Sequence, residues 1–120
     1  MIEIIPELED GVLGLRATGT VTAEDYESTL IPAVDDATAG GRKAKFLYVL
    51  GTDFEGYSTD AALDDMKMGA RTWGDFEKIA FVTDHSVYRN LVQGFGFLMP
   101  GEVRVYSMSE VETAKEWLAS

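Results

Sequence analysis

The stretch KFLYVL, residues 45–50, decides the fold of this chain. Five of its six side chains are apolar and do not alternate with polar ones, which is typical of a strand covered on both faces. A second run of this kind, KIAFVT, stands at residues 78–83. The segment between them is long enough for a crossover helix, so the two runs predict neighbouring strands of a parallel sheet.

On the N-terminal side of these strands, residues 2–5 and 12–21 predict a hairpin. Thr22 and Asp25 have the spacing of a capping box and predict the start of a helix. Pro32 falls inside that helix and lacks the backbone N–H of a regular turn, so we expect a kink or break there. The predicted buried stripe of the helix consists of Tyr26, Leu30, Val34 and Ala37.

On the C-terminal side, apolar residues at helical spacing predict a second helix over residues 61–71 and a third over 87–95. EVRVYSM, residues 102–108, predicts the last strand. Ser109 and Glu112 have capping-box spacing and predict the start of the last helix.

This order of elements, β-β-α-β-α-β-α-β-α, predicts a single α/β domain over residues 1–120. Its sheet should have five strands, mostly parallel, with the first strand antiparallel at one edge, and about four helices. In such sheets ligands bind beyond the carboxyl ends of the strands. Here that rim comprises the loops predicted after Leu50 and Thr83.

The composition excludes several classes of function. Ten basic residues against 21 acidic ones give a net charge of −11, which repels nucleic acids and anionic membranes, so we expect no nucleic-acid partner. The absence of cysteine excludes thiolate chemistry and cysteine-bound zinc. We predict no cofactor. The sequence contains neither a signal peptide nor an apolar run long enough for a transmembrane segment, so we expect a cytoplasmic protein.

The only histidine, His85, is the one residue that could complete a serine triad. Ser86 follows it directly, but no G-x-S-x-G motif surrounds that serine or Ser58. We therefore interpret TDHS, residues 83–86, as the end of a strand followed by a helix cap from Asp84 or Ser86.

A second catalytic hypothesis rests on the acidic residues after the first buried strand. Asp53 with Glu55 or Asp60 could form a carboxylate pair or bind a metal ion through oxygen atoms. No calcium-loop motif supports a metal site. We favour solvated acids, with Asp60 capping a helix, and predict neither a catalytic nor a metal-binding residue.

Large apolar residues are more abundant near the predicted rim than two short helices require. An ordinary core is one interpretation of this surplus, and a surface that opens for an apolar ligand or pairs with a second subunit is the other. The run FGFLMP, residues 95–100, and an exposed edge strand favour a homodimer. The surplus consists of Phe54, Tyr57, Met66, Met68, Trp73, Tyr88, Phe95, Phe97, Leu98 and Met99.

Two long stretches resemble the SpoIIAA-like branch of STAS domains. The first, DFEGYSTDAALDDMKMGARTWGDFEKIAFVTD at residues 53–84, contains the D-F-x-G-(W/Y) loop and the F-x-(K/R)-I-A-x-V-x-D strand of that family. The second, GEVRVYSMSEVETAKEWL at residues 101–118, contains the A-x-x-W-L ending. The resemblance implies a five-stranded α/β domain with four helices, related in fold to anti-sigma-factor antagonists and CRAL-TRIO lipid-transfer domains.

The resemblance also bears on function. The antagonists carry Asp-Ser just before the second helix, and phosphorylation of that serine controls partner binding. Here Asp53 matches the aspartate, but Phe54 stands in place of the serine. Ser58 and Thr59 remain candidate phosphoacceptors, although capping is the role we favour for both.

We therefore predict a non-enzymatic STAS-like module that binds a small apolar or lipid-like ligand between its second and third helices. One alternative is a protein-partner regulator of the antagonist type, with or without modification at Ser58. Another is a hydrolase that uses Asp53, Glu55 or His85. The predicted ligand-binding residues are Phe54 and Tyr57 as the gate, Met66 and Ala70 as one wall, and Leu91, Phe95 and Phe97 as the other.

Overall fold

A five-stranded sheet organises this computed structural model, which describes residues 1–6, 8, 11–41, 43–58, 76–95 and 102–120. The strands lie side by side in chain order, with β1 antiparallel to β2 and all other neighbours parallel. This confirms the predicted α/β class and the antiparallel first strand at an edge. The strands are β1 Ile2–Ile4, β2 Val12–Val21, β3 Ala44–Tyr57, β4 Phe76–Val82 and β5 Glu102–Tyr106.

The described residues form three helices, and the predicted helix over residues 61–71 lies outside them. No helix in this part of the chain has the length and apolar character that crossing a lipid bilayer requires. Helix α1 comprises the α-helical segments Ala23–Asp25 and Ile31–Ala37 with the π-helical turn Tyr26–Leu30 between them, α2 is Ser86–Phe95, and α3 is Val111–Ala119.

The irregularity expected at Pro32 takes the form of the π-helical turn. The Ile31 N–H donates to the Tyr26 carbonyl, five residues earlier, instead of four. Pro32 follows directly and has no N–H to donate. The wider turn therefore precedes the residue that cannot extend a regular helix, and α1 continues to Ala37.

The capping box predicted at the start of α1 is confirmed. The Asp25 N–H donates to Thr22 Oγ1 at 3.3 Å, and the Thr22 N–H donates to Asp25 Oδ2 at 2.9 Å. Burial raises the pKa of Asp25, but the hydrogen bonds from Thr22 and the nearby N-terminal amine outweigh it and lower that pKa.

The capping box predicted for the last helix is wrong by two residues. Ser107 and Glu110 form it, because the Ser107 N–H donates to Glu110 Oε1 at 2.9 Å. A short 3-10 turn, Met108–Glu110, then leads into α3. Glu112, the predicted capping acid, pairs instead with Lys115 at 3.3 Å.

One face of the sheet, which we name face A, is covered by α1. Its strands contribute large side chains, and three helix residues, Tyr26, Leu30 and Val34, are almost fully buried against them. The predicted stripe of α1 is therefore its buried side, with Ala37 packed at the margin. The strand residues of face A are Ile2, Leu15, Ala17, Val21, Ala44, Phe46, Tyr48, Leu50, Phe54, Phe76 and Ile79.

The opposite face, face B, is covered by α3 through Ala114 and Leu118. Ile5 and Leu8, from the connection between β1 and β2, pack on the same side. Gly14 makes this possible, because a Cβ there would clash with Leu8 Cδ1 and lie 3.1 Å from Ile5 Cβ. The strand residues of face B are Leu47, Val49, Ala80, Val82 and Tyr106.

Two cations and an aromatic ring hold the C-terminal end of α3. Lys78 Nζ donates to the carbonyls of Trp117 and Ser120, both at 3.0 Å. The same ammonium lies 5.2 Å from the centroid of the Trp117 ring, and the Arg104 guanidinium lies 4.7 Å from it. Positive charge at a helix C-terminus is favourable because the carbonyls there lack intrahelical partners.

The loop predicted directly after Leu50 is a strand. β3 continues to Tyr57, and the Ser58 N–H donates to the Val21 carbonyl at 2.8 Å. Between the register pairs Ala17–Leu50 and Gly19–Phe54, β2 advances two residues and β3 advances four. The extra residues form bulges, and these bend the end of β3 without interrupting its pairing.

Candidate functional site

The C-terminal end of β3 holds the first candidate, Phe54, inside the core. Its side chain is only 8% exposed and belongs to the face A cluster. Asp53 and Glu55 on either side of it are exposed. Two exposed carboxylates therefore flank a buried ring at the end of β3.

Three rings form a continuous row at this rim, which we name the aromatic row: Phe54, Tyr88 and His85. The centroids of Phe54 and Tyr88 lie 5.3 Å apart with the ring planes at 72°, and those of Tyr88 and His85 lie 4.9 Å apart at 63°. Such edge-to-face contacts are favourable because the positive edge of one ring meets the negative face of the other. The row runs from buried Phe54 through half-buried Tyr88 to exposed His85.

Gly56 lies next to this row, near the end of β3, in a backbone conformation that favours glycine. Its φ of 130° is a conformation that L side chains rarely adopt. A Cβ at this position would lie 3.6 Å from the Tyr88 hydroxyl oxygen. A side chain here would therefore be strained by the backbone and would also touch Tyr88.

Thr83 connects the end of β4 to the first turn of α2. Its side chain is 1% exposed, and its hydroxyl oxygen accepts from the His85 N–H at 3.0 Å. Its carbonyl accepts from Arg89 Nη1 at 3.1 Å, and its N–H donates to the Tyr106 carbonyl at 3.0 Å. These bonds position α2, and with it Tyr88, on the rim of the sheet.

The neighbouring loop between β5 and α3 is tied to the same rim. Asp84 Oδ1 accepts from the Met108 N–H at 2.9 Å, so this carboxylate caps the 3-10 turn before α3. Hydrogen bonds from the Ser107 N–H and hydroxyl lower the pKa of Glu110, and the positive charge of Arg89 adds to this effect. The rim of β4 and the start of α3 are therefore linked by polar contacts.

Comparisons with known proteins agree with this geometry. The family model described as SpoIIAA-like matches residues 12–119. This chain belongs to the SpoIIAA-like family. A search of curated proteins gave no match.

Among solved structures, the SpoIIAA-like chain is similar to an uncharacterised protein of the DUF3478 family from Shewanella loihica PV-4, which has a SpoIIAA-like fold. The two sequences are 28% identical, and the TM-score is 0.80. The match covers 98% of this chain and 92% of the other. The likeness therefore extends over nearly the whole domain.

Within the described residues, the SpoIIAA-like domain does not bring the predicted catalytic candidates together as a unit. His85 contacts the Tyr88 ring and is fixed through its backbone N–H. Glu55 accepts a long 3.5 Å hydrogen bond from Thr20, on the neighbouring strand β2. Asp60 lies outside the described residues. No group of three or more histidine, aspartate or glutamate side chains in this part of the chain has a metal-binding arrangement.

The predicted ligand-binding residues are only partly described. Phe54 lies in the face A core at the rim. Tyr57 ends β3, while Leu91 and Phe95 belong to α2, and the side chains of these three lie outside the description. Ser58, the candidate phosphoacceptor, follows β3 directly and is half-buried. The remaining candidates outside the described residues are Thr59, Met66, Ala70 and Phe97.

The sequence prediction counted Tyr88 among the surplus apolar residues but did not choose it for the site. Tyr88 stands three residues after His85 in the first turn of α2, and this spacing places the two rings on one side of a helix. Thr83 and Arg89 were missed as positioning residues. A threonine at the end of a buried apolar strand was the available signal, because a buried hydroxyl needs hydrogen-bond partners.

Proposed function

We propose that this chain is a non-enzymatic SpoIIAA-like binding module that takes up a small apolar or lipid-like ligand in the cytoplasm. The ligand enters beside α2, at the rim formed by the carboxyl ends of β3 and β4. One observation carries the proposal: the ring of Phe54, which the family resemblance places where the antagonists have their phosphorylated serine, is buried in face A and ends the aromatic row.

Opening the rim costs free energy, which the burial of an apolar ligand can offset. An edge-to-face aromatic pair such as Phe54–Tyr88 contributes about 0.5–1.5 kcal/mol beyond the area it buries. Burying apolar surface contributes roughly 25 cal/mol per Å², so an acyl tail that buries about 200 Å² gains on the order of 5 kcal/mol before association costs. Displacing the Phe54 ring exposes its own apolar surface at the same cost per unit area, so we expect a tail to occupy its place only if the tail buries more apolar surface than the ring does.

Tyr88 and His85 make this displacement local. Thr83 holds the first turn of α2 by accepting hydrogen bonds from His85 and Arg89. Tyr88 therefore stays in place while Phe54 turns. Under this proposal Phe54 is the gate, and Tyr88 is the fixed edge against which it closes.

Native mass spectrometry of the purified chain is the first experiment, combined with thermal denaturation in the presence of fatty acids of eight to sixteen carbons. We expect a co-purified apolar molecule or a rise in Tm that increases with ligand concentration, since a ligand that binds only the folded state stabilises it. A chain that is always empty and gains no stability from any of these acids contradicts the proposal.

A pair of variants tests the gate itself. Phe54→Ala should lower stability and increase the rise in Tm caused by fatty acids, because it removes the group that the ligand must displace. Phe46→Ala is the matched control, since Phe46 is a buried face A phenylalanine in the same strand but contacts Phe76 and Tyr48 instead of the aromatic row. If fatty acids raise the Tm of both variants equally, Phe54 is not the gate. Phe54→Leu replaces Phe54→Ala if the alanine variant does not fold.

A protein-partner regulator is the alternative function, and the position of Ser58 favours it. Ser58 is half-buried on the same rim, directly after β3, with its N–H bonded to the Val21 carbonyl. A phosphate there would add negative charge directly after the end of β3. The discriminating experiment is capture of binding partners by wild type, Ser58→Asp and the control Thr52→Asp, whose side chain is exposed. A partner that is lost only with Ser58→Asp, with no fatty acid bound by any form, favours regulation.

A further inference from the structure

The outer edge of β5 has the features of a surface that pairs with its own copy. β5 is the last strand in the order of the sheet, and in the described part of the chain its only strand neighbour is β4. Its sequence, EVRVY, alternates charged and apolar residues before the final tyrosine. An edge of this kind displays unpaired backbone groups that can accept another strand.

The direction of the backbone groups follows from one hydrogen bond. The Thr83 N–H donates to the Tyr106 carbonyl at 3.0 Å, so this carbonyl points towards β4. Successive residues of a strand direct their N–H and C=O groups to alternate sides. The backbone N–H and C=O groups of Val103 and Val105 therefore point away from β4, towards the outer edge.

The side chains along this edge carry complementary charges. Glu102 and Arg104 are both exposed, and they lie on the face B side of the strand. The Arg104 guanidinium rests on the Trp117 ring of α3, 4.7 Å from its centroid. Val103 packs on the other side, against the face A cluster. The edge therefore presents one anion and one oriented cation, separated by a single residue.

We propose that two copies of this chain form a dimer in which their β5 strands pair antiparallel about a two-fold axis at Val103. In this register Val103 of each copy exchanges both backbone hydrogen bonds with Val103 of the other. Glu102 then lies directly opposite Arg104 of the second copy, and the two-fold axis repeats this ion pair. Opposite charges facing each other across two strands stabilise pairing, whereas like charges destabilise it.

Charge favours this register, because among two-fold axes along β5 only the one at Val103 places Glu102 opposite Arg104. A two-fold axis at Arg104 would place two guanidinium groups opposite each other. At the other edge of the sheet, β1 has three residues, and a two-fold axis at its centre would place Glu3 opposite Glu3. Because each copy carries a net charge of −11, contacts without local charge compensation are opposed by repulsion between the copies.

Sedimentation velocity over a wide concentration range, with charge-exchange variants, tests the proposal. Wild type should dimerise. Glu102→Arg and Arg104→Glu each place like charges across the axis twice and should raise the dissociation constant at least about tenfold. The double variant Glu102→Arg/Arg104→Glu restores both pairs and should return to within about threefold of wild type.

Glu3→Arg is the matched control for Glu102→Arg, because it makes the same change in net charge at the opposite edge of the sheet. It should leave the dissociation constant near the wild-type value. Thermal denaturation of every variant identifies any loss of folding, which matters most for Arg104→Glu because of its contact with Trp117. A monomeric wild type at all concentrations overturns the proposal, and so does a double variant no better paired than the single ones.

Cysteine cross-linking tests the register independently. The natural chain has no cysteine, so any disulfide in a single-cysteine variant joins two copies. Hydrogen-bonded antiparallel pairs have Cα atoms about 5.5 Å apart, within the range that a disulfide spans. Val103→Cys should therefore cross-link under mild oxidation, and Val105→Cys, four residues out of register with its own copy, should not. The reverse result overturns the two-fold axis at Val103.

Discussion

The two faces of the sheet are both well packed, but they are built differently. Face A is covered by a helix with a π-helical turn, and aromatic rings fill much of its core out to the rim. Face B is covered by a regular α-helix that approaches the sheet through small residues, since Ala80 and Ala114 are both fully buried there. Small buried residues let two elements approach closely, whereas aromatic rings separate them further and meet in directional edge-to-face contacts. Under the proposed function, face A is the side on which the ligand is admitted.

The largest expected effect is loss of a helix anchor on either face. Leu30→Ala on face A and Leu118→Ala on face B should each lower the free energy of unfolding by about 2–5 kcal/mol, because each removes an almost fully buried side chain and leaves a cavity. Urea denaturation measures both. A loss below about 1 kcal/mol for Leu118→Ala, with the full loss for Leu30→Ala, would mean that face B does not depend on α3.

Milder variants test whether the two faces are independent. The effects of Leu30→Val and Leu118→Val should add to within about 0.5 kcal/mol, because the two residues belong to separate clusters on opposite sides of the sheet. Urea denaturation of the single and double variants measures the difference. Strong non-additivity would show that the sheet transmits packing changes from one face to the other.

A smaller effect is expected at Gly14, where the β1–β2 connection crosses face B. Gly14→Ala should lower the free energy of unfolding by about 1–3 kcal/mol, because the new methyl group meets Leu8 and Ile5. Gly94→Ala, in α2 with open space around its Cβ position, is the control and should raise stability by about 0.5–1 kcal/mol. The two changes in the free energy of unfolding should have opposite signs, which separates the effect of close packing from that of helix propensity. An unchanged stability in Gly14→Ala would argue against the close approach of Leu8 and Ile5 to Gly14.

The smallest mutational effect is expected at the cap of α1. Thr22→Ala should lower the free energy of unfolding by about 1 kcal/mol, because the Asp25 N–H loses its acceptor. Thermal denaturation at neutral pH measures it. Thr22→Ser retains the hydroxyl and should stay close to wild type, and a large loss in that variant would indicate packing of the threonine methyl group instead of capping.

The two capping acids also predict how stability depends on pH. The folded-state pKa of each lies below its ordinary value, 3.8 for Asp25 and 4.5 for Glu110. A lowered pKa contributes stability that is present above the ordinary value and is lost as the pH falls through the folded-state value. Urea denaturation between pH 7 and pH 2 should show a shallower acid loss for Asp25→Asn and for Glu110→Gln, and with Glu110→Gln the difference should begin at the higher pH. Acid profiles parallel to wild type would contradict this assignment.

Elements with a local signal were predictable from sequence. The continuous apolar runs at residues 45–50 and 78–83 form neighbouring parallel strands, and Thr22 with Asp25 forms a capping box. The second capping box was ambiguous, because Ser107 with Glu110 and Ser109 with Glu112 have the same spacing. The choice between them depends on a distant contact, since Asp84 accepts from the Met108 N–H and holds the 3-10 turn that Ser107 caps.

The sequence by itself determined the α/β class, the order of the strands and the antiparallel first strand, because these follow from hydrophobic periodicity and the length of the connections. Only the tertiary structure decided the nature of the rim. Residues 51–57 have the glycines and acids of a loop, yet they form the end of β3, because β2 supplies hydrogen-bond partners across the bulges and Gly56 accepts a positive φ. The contact between Phe54, Tyr88 and His85 could not be predicted from local sequence either. It depends on the pairing of distant strands and on the hydrogen bonds that hold α2 to Thr83.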